Sequence, residues 1–437
     1  MTRFLPHPRL LDSPRHRDWP AFSAPQVPDG SPPPPTGADV VIVGAGPAGL
    51  AVAAALWHVG VRDVVIIDRD GAPVARFLGR VDRLNQRVLR SPYEHHPGVE
   101  GYRDCELRDF ARMHWSLLTS VERREIRMSQ AGHRSVVPVD VFDAYCRHTS
   151  VIHQVPQRLW LGEVGSVEPG ADRVLVRGGD FTIEARHVVL CLGEERRDAP
   201  ASWWSGDRPN AVGYWDEPVH PDAGHVAVVG AGLTAAHLIH NALDRGARVD
   251  WVLRKDTERY QCSDVNASFF RAEGRARFGG QARQVPWAER LALMSRERRA
   301  SVMFEFQPLL TAAEANGRLT VHRGNGIRAV GDGHVELADG RRVTGDQVLL
   351  ALGTTPSIGT GLLPEASVGA RDGWPDLDER TLAYRHAPRV YAAGAAACMV
   401  LGPAARNIDG HRVATARIAG AIAAQVREGV AQRVRAL

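Results

Sequence analysis

Lysine is almost absent from this 437-residue chain. Lys255 is the single example, so arginine supplies 53 of the 54 basic residues. Such a skew is explained by GC-rich coding more simply than by function. The formal net charge is only +4 and the basic residues are scattered, which argues against nucleic acid as a partner. Cysteine is scarce as well: Cys105, Cys146, Cys191, Cys262 and Cys398 stand far apart, with no C-x-x-C pair. A thioredoxin-type dithiol and a zinc ribbon are therefore unsupported, and no metal site is expected. Separated thiols of this kind fit a reducing cytoplasm. The opening stretch from Met1 to Pro20 lacks the apolar core of a signal peptide. One run, residues 40–61, is apolar and charge-free enough to pass for a membrane span. Its middle is a G-x-G-x-x-G turn, so it reads as strand, loop and helix, and no membrane contact is expected.

What the chain does have is a repeated grammar of strands and glycine turns. Its length exceeds what one hydrophobic core usually supports, so two domains are expected. Residues 1–37 end in Ser-Pro-Pro-Pro-Pro-Thr and read as an extended arm or a segment draped over the surface. Then come Asp39-Val-Val-Ile-Val43, the turn Gly44-Ala-Gly46-Pro47-Ala48-Gly49, an apolar helix to about residue 58, and a strand closing at Asp68. This is a right-handed strand–helix–strand unit. The pattern returns as His225-Val-Ala-Val-Val229, Gly230-Ala-Gly232-Leu233-Thr234-Ala235, a helix to about residue 244, and a strand ending at Arg254. One constant offset, with no gap, aligns Gly44 with Gly230, Gly46 with Gly232, Gly49 with Ala235 and Asp68 with Arg254. One G-x-G-x-x-G is a weak signal; two in matching context are a strong one.

In each turn the first glycine takes a conformation closed to other residues, the second lets a pyrophosphate reach the backbone, and the third packs helix on strand. The helix N-terminus then offers free N–H groups to the phosphates. Ala235 in the third position slightly loosens that packing. The residue closing the second strand selects the ribose. Asp68 accepts hydrogen bonds from free ribose hydroxyls, as FAD presents them. Arg254, followed by Lys255, suits the 2′-phosphate of NADPH instead, unless the two are simply a solvated strand end. Two further apolar strands end in Gly193 and Gly353, the first after a β-meander over residues 174–177 and 181–185. They look like crossings between domains, and another buried strand ends at Gly394 before a helix around residues 409–427. The expected fold is α/β with two Rossmann-like dinucleotide-binding domains. Residues 38–199 and 346–437 form the FAD domain, and residues 200–345 form an inserted NADPH domain.

These motifs resemble the flavoproteins with two dinucleotide-binding domains, and most of all the single-component flavin monooxygenases. That group includes N-hydroxylases of amines, Baeyer–Villiger enzymes and flavin-containing monooxygenases. The resemblance spans nearly everything after residue 38. It implies that NADPH reduces FAD, dioxygen forms a flavin hydroperoxide, and one oxygen passes to a small molecule, with N-hydroxylation the favoured outcome. The alternative is an NADPH-dependent oxidoreductase that passes electrons without inserting oxygen. Arg90-Ser-Pro-Tyr-Glu-His-His96, after Gln86, matches the segment under the flavin ring. Tyr214 and His220 have the aromatic-to-histidine spacing of F-x-G-x-x-x-H, although Asp216 replaces its glycine. Asp264-Val-Asn266-Ala-Ser-Phe269 is similar to F-x-N-E-x-F of the ornithine and lysine N-hydroxylases. The resemblance thus implies catalytic roles for Gln86, His220 and Asn266.

It also puts Arg69, Arg90, Val164, Gly193, Gly394, Asn407 and Ile408 around FAD, and Gly353 beside the nicotinamide cofactor. Family members have aspartate after the last glycine to hold the ribityl chain. Here Ala395 follows Gly394, so backbone near Gly394 and the helix start at residues 406–409 must serve. His95 and His96 read as flavin-side or structural histidines. The arginine-rich stretch 269–299 reads as a lid for an anion or as a solvated helix face. Phe142 and Tyr145, at i, i+3 spacing, read as core. Nothing in the sequence names the substrate, and homo-oligomerisation stays open.

Overall fold

The strand Gly37–Val43 lies inside a parallel sheet, paired on one side with Val64–Asp68 and on the other with Thr182–Leu190. This computed structural model describes residues 7–20, 33–99, 106–261, 269, 278 and 285–436. Val40, Val41 and Ile42 have no exposed surface, because this inner strand is covered on both faces and leaves no polar side to alternate with. The sheet runs in the order Ala383–Tyr384, Ala387–Ala392, Thr182–Leu190, Gly37–Val43, Val64–Asp68, Leu159–Leu161. The supposed membrane run is the central strand, the first glycine turn and the helix Pro47–His58. No helix among the described residues is long and apolar enough to cross a membrane.

The expected meander strand at 181–185 and the apolar strand after it are one nine-residue strand, Thr182–Leu190. Its first half alternates buried and exposed and pairs antiparallel with Val174–Gly178. Its second half is continuously buried and pairs in parallel with Ala387–Ala392. The change of pattern from alternating to continuous marks where one neighbour gives way to the other.

A second, all-parallel sheet has the order Val212–Tyr214, Gln347–Leu350, His225–Val229, Arg248–Val252, Leu319–His322. Gln347–Leu350 sits inside it, so the segment building this sheet runs to residue 350, past the expected boundary at 345. The first sheet takes strands from both sides of that segment in sequence. Where the chain passes between the sheets, Glu194–Arg196 and Thr354–Pro356 lie side by side as an antiparallel pair. Arg134 adds a two-point ion pair with the buried Glu305, its second contact being 2.9 Å.

Residues 7–20 are neither a free arm nor draped. Leu10 and Leu11 are buried in one cluster with Leu84, Val88 and Val136 and with Met303 and Phe306 from the second segment. Arg17 reaches both oxygens of Glu122, at 2.5 and 2.7 Å, and Asp140 at 3.1 Å. Trp19 donates its indole N–H to Asp140 at 2.9 Å and stacks on Phe110. Both carboxylates are buried, so removing the arginine strands two charges away from water. Arg17→Ala is expected to cost about 3 kcal/mol, read as a lower melting midpoint in calorimetry. An unchanged midpoint would show that the arm contributes nothing to stability.

Candidate functional site

The first glycine turn is built as the spacing predicts. Gly44 has φ of +100°, and a Cβ there would stand 2.6 Å from the Cys191 carbonyl oxygen. A Cβ on Gly49 would stand 1.9 Å from the Gly44 oxygen, so the third glycine is where helix meets strand. At Gly46 a Cβ would have nothing within 4 Å. Two glycines are demanded by packing, and the middle one faces open space at the N-terminus of the helix Pro47–His58. Asp68 accepts from the backbone N–H of Ala45 at 2.7 Å and of Asp70 at 2.8 Å. These bonds hold its carboxylate at the edge of the turn with lone pairs to spare.

A cavity of about 580 Å³ opens from this turn. Gly44, Gly46, Pro47, Ala48, Asp68 and Arg69 line one side. Gln86, Arg90, Val164, Gly193, Gly394, Asn407 and Ile408 line it as well, and a Cβ on Gly394 would stand 3.9 Å from that of Ala48. Gln86 donates to the Val88 carbonyl at 2.8 Å. Ala395 lies in the same wall, so the departure from the expected aspartate falls on the cavity itself.

Several lining groups carried no recognisable sequence signal. Arg76 and Arg80 face in from the helix Ala75–Arg83, and burial, with Arg76 beside it, lowers the Arg80 pKa. Glu194 accepts from Arg406 at 2.5 Å and from Arg298 at 3.3 Å. His411 is buried in the wall beside Gly394; burial pushes its pKa down to about 4, so the ring is neutral at pH 7. Its Nδ1 has no hydrogen-bond partner among the described residues. Cys191 also lines the cavity, but burial pushes its thiol up to about 12 and keeps it protonated. Cys146, Cys191 and Cys398 are free and buried. Among the described residues no three His, Cys, Asp or Glu side chains are placed to hold a metal ion.

Other sequence candidates lie elsewhere. His220 is exposed and outside the cavity lining, with its backbone N–H bonded to Gln347. Tyr214 is buried beneath Arg196, which also pairs with Asp216 at 3.1 Å, so this motif anchors a crossing strand. His96 bonds the Tyr145 hydroxyl at 3.1 Å, and His95 sits 3.7 Å from Asp409; neither lines the cavity. Phe142 and Tyr145 are fully buried core. Arg290 is neither lid nor solvated face, being buried against Glu379 and the Met399 carbonyl. Asn266 lies outside the described residues, as does most of the stretch 269–284.

The second turn repeats the first. Gly230 has φ of +147°, and a Cβ there would stand 2.4 Å from the Ala351 oxygen. Trp251 ties the turn by donating to the Gly230 carbonyl at 2.6 Å. Gly232 caps the helix Leu233–Asp244, Thr234 follows in its first turn, and Ala235 is fully buried, its methyl group accommodated. Arg254 and Lys255 are exposed just beyond the strand Arg248–Val252, and neither pairs with a carboxylate among the described residues. Gly193 and Gly353 both have positive φ with open space around them at the two crossings. Leu233, the first residue of the second helix, lines the same cavity as the first turn.

The family described as pyridine nucleotide-disulphide oxidoreductase matches residues 38–274. No curated protein matches the chain. Ornithine hydroxylase from Pseudomonas aeruginosa, solved in its reduced form, is 19% identical with a TM-score of 0.69, over 89% of this chain and 99% of its own. Ornithine N-hydroxylase from Kutzneria sp. 744, solved with reduced FAD, NADP⁺ and L-ornithine, is 18% identical with a TM-score of 0.69, over 90% and 100%. Bacillithiol disulfide reductase from Bacillus cereus is 17% identical with a TM-score of 0.61, over 89% and 99%. These likenesses establish a shared fold.

Proposed function

The chain belongs to the pyridine nucleotide-disulphide oxidoreductase family, and within it we propose an FAD- and NADPH-dependent monooxygenase acting on a small molecule, with an amine nitrogen as the favoured acceptor. One observation carries this reading: the helix of the second glycine turn reaches, through Leu233, the cavity that the first turn opens. Two dinucleotides seated on the two turns would therefore meet in one chamber.

The residues present fit the two groups. The bare face of Gly46 would take the FAD pyrophosphate, and Asp68 its ribose hydroxyls. The backbone near Gly394, Asn407 and Ile408 would hold the rest of the group, beside the Nδ1 of His411, which has no hydrogen-bond partner among the described residues. Gly232 would take the second pyrophosphate, and Arg254 with Lys255 the 2′-phosphate. FAD, when bound, supplies hydride acceptance from NADPH and the activation of dioxygen. The protein orients the two rings and encloses the chamber. Residues 38–199 with the C-terminal part serve FAD, and the segment between them serves NADPH.

No dithiol lies at the cavity among the described residues, which separates this reading from disulfide reduction. Electron transfer without oxygen insertion uses the same cofactor contacts, and the likeness in fold to a disulfide reductase keeps it in view. The two readings part under ¹⁸O₂. A panel of small amines incubated with protein and NADPH should yield a product carrying one labelled oxygen per NADPH consumed. NADPH electrons appearing wholly as hydrogen peroxide, with no labelled product from any substrate, would decide for electron transfer.

A further inference from the structure

Residues 298–301 join the helix Trp287–Glu297 to the strand Val302–Met303 and touch the surroundings of both glycine turns. At one end Arg298 donates to Glu194, in the wall of the large cavity, at 3.3 Å. In the middle, the Cβ of Ala300 lies 3.9 Å from where a Cβ on Gly232 would stand. At the other end Ser301, only 1% exposed, takes both arms of Arg90, another cavity-lining residue. One arm reaches its hydroxyl at 3.1 Å and the other its carbonyl at 2.5 Å. Gln261 donates to the same hydroxyl at 3.0 Å. The strand Tyr260–Gln261 begins just after Arg254 and Lys255 and pairs in parallel with Val302–Met303.

A phosphate settling on the bare face of Gly232 must contact Ala300 or displace it. The segment has little slack to absorb that, because it is tied at one end to Glu194 and at the other to Arg90. A ligand filling the large cavity would lie against those same two side chains. We infer that residues 298–301 couple the two dinucleotide sites, with Arg298 and Ser301 acting as positioning residues that transmit occupancy of one site to the other. The inference rests on the assignment of FAD and NADPH to the two turns. Both ligands favour one placement of the segment, so each strengthens the other, and linkage makes the factor equal in both directions.

The experiment measures FAD affinity of the flavin-stripped full chain by fluorescence quenching, with and without saturating NADP⁺ as a non-reducing probe. The wild type should bind FAD at least about 5-fold more tightly with NADP⁺ present, the lower end of ordinary coupling between sites. Ser301→Ala, alone and with Arg298→Gln, should bring that ratio close to one. Ser301→Ala removes a single oxygen, and its melting curve shows whether the fold is kept. The readout is a ratio within one protein, so generally weaker flavin binding does not imitate it. Variants that bind both ligands and keep the wild-type ratio overturn the coupling, as does a wild-type ratio near one. A wild-type chain that binds no FAD overturns the cofactor assignment and the coupling with it.

Discussion

Gly49→Ala should yield a protein that emerges from purification without yellow colour and melts at a lower temperature. The added methyl would stand 1.9 Å from the Gly44 carbonyl oxygen, a backbone atom that no rotamer change can move aside. Helix and strand must separate at the turn that presents Gly46 to the phosphates. Overpacking of this kind costs about 3 kcal/mol before any loss of ligand is counted. The second turn supplies the contrast. Its equivalent residue is already Ala235, fully buried, so Ala235→Gly should cost only about 1 kcal/mol through added backbone freedom. Calorimetry and the 450-to-280 nm absorbance ratio measure both effects. A Gly49→Ala protein with full flavin content and an unshifted midpoint would sink the claim that this turn seats the FAD.

Arg254→Asp should reverse the choice of nicotinamide cofactor. The guanidinium is exposed at the strand end and pairs with no carboxylate among the described residues, so it is available to a phosphate. A charge-assisted hydrogen bond to a phosphate contributes about 2 kcal/mol, roughly 30-fold in kcat/KM for NADPH. The carboxylate put in its place repels the 2′-phosphate and accepts from the free hydroxyls of NADH, as Asp68 is positioned to do at the first turn. Initial rates with the two cofactors test this directly. If the substitution weakens NADPH and NADH equally, Arg254 is a solvated strand end and the assignment fails.

The fold was legible because its determinants are local. Glycines at fixed spacing, apolar runs of strand length and an acidic or basic residue at the strand end all lie close together along the chain, and they recur at a constant offset. The cavity wall was harder to read. Gly193, Gly394, Arg406, Asn407 and Ile408 follow obvious strand or helix signals, whereas Glu194 and His411 join them only because the crossing strand and the last helix converge. The helix Ala75–Arg83 presents Arg76 and Arg80 to the cavity, yet in a chain so rich in arginine the residue type carries no signal. The same abundance misled at Arg290, whose burial depends on Glu379, 89 residues away. His220 is a different case: its spacing from Tyr214 is preserved, yet it lies outside the cavity lining while Asp216 pairs with Arg196. The arm was illegible because Leu10, Leu11 and Arg17 acquire meaning only against partners far off in sequence, such as Leu84, Met303 and Glu122.

The paired passage of the chain between the sheets also has a genetic meaning. Arg196 and Thr354 face each other across two antiparallel strands, so the long interval between them begins and ends at neighbouring points. Cut out at the level of the gene and closed by a two-residue turn, that interval would leave every strand of the first sheet in place. The shortened protein would lose what the interval supplies: among others, Leu10 and Leu11 would lose Met303 and Phe306, Arg134 would lose Glu305, Arg90 Ser301, Glu194 Arg298, and Glu379 Arg290. A graft of another nucleotide-binding module onto the same two ends would have to supply partners for these residues before it could dock.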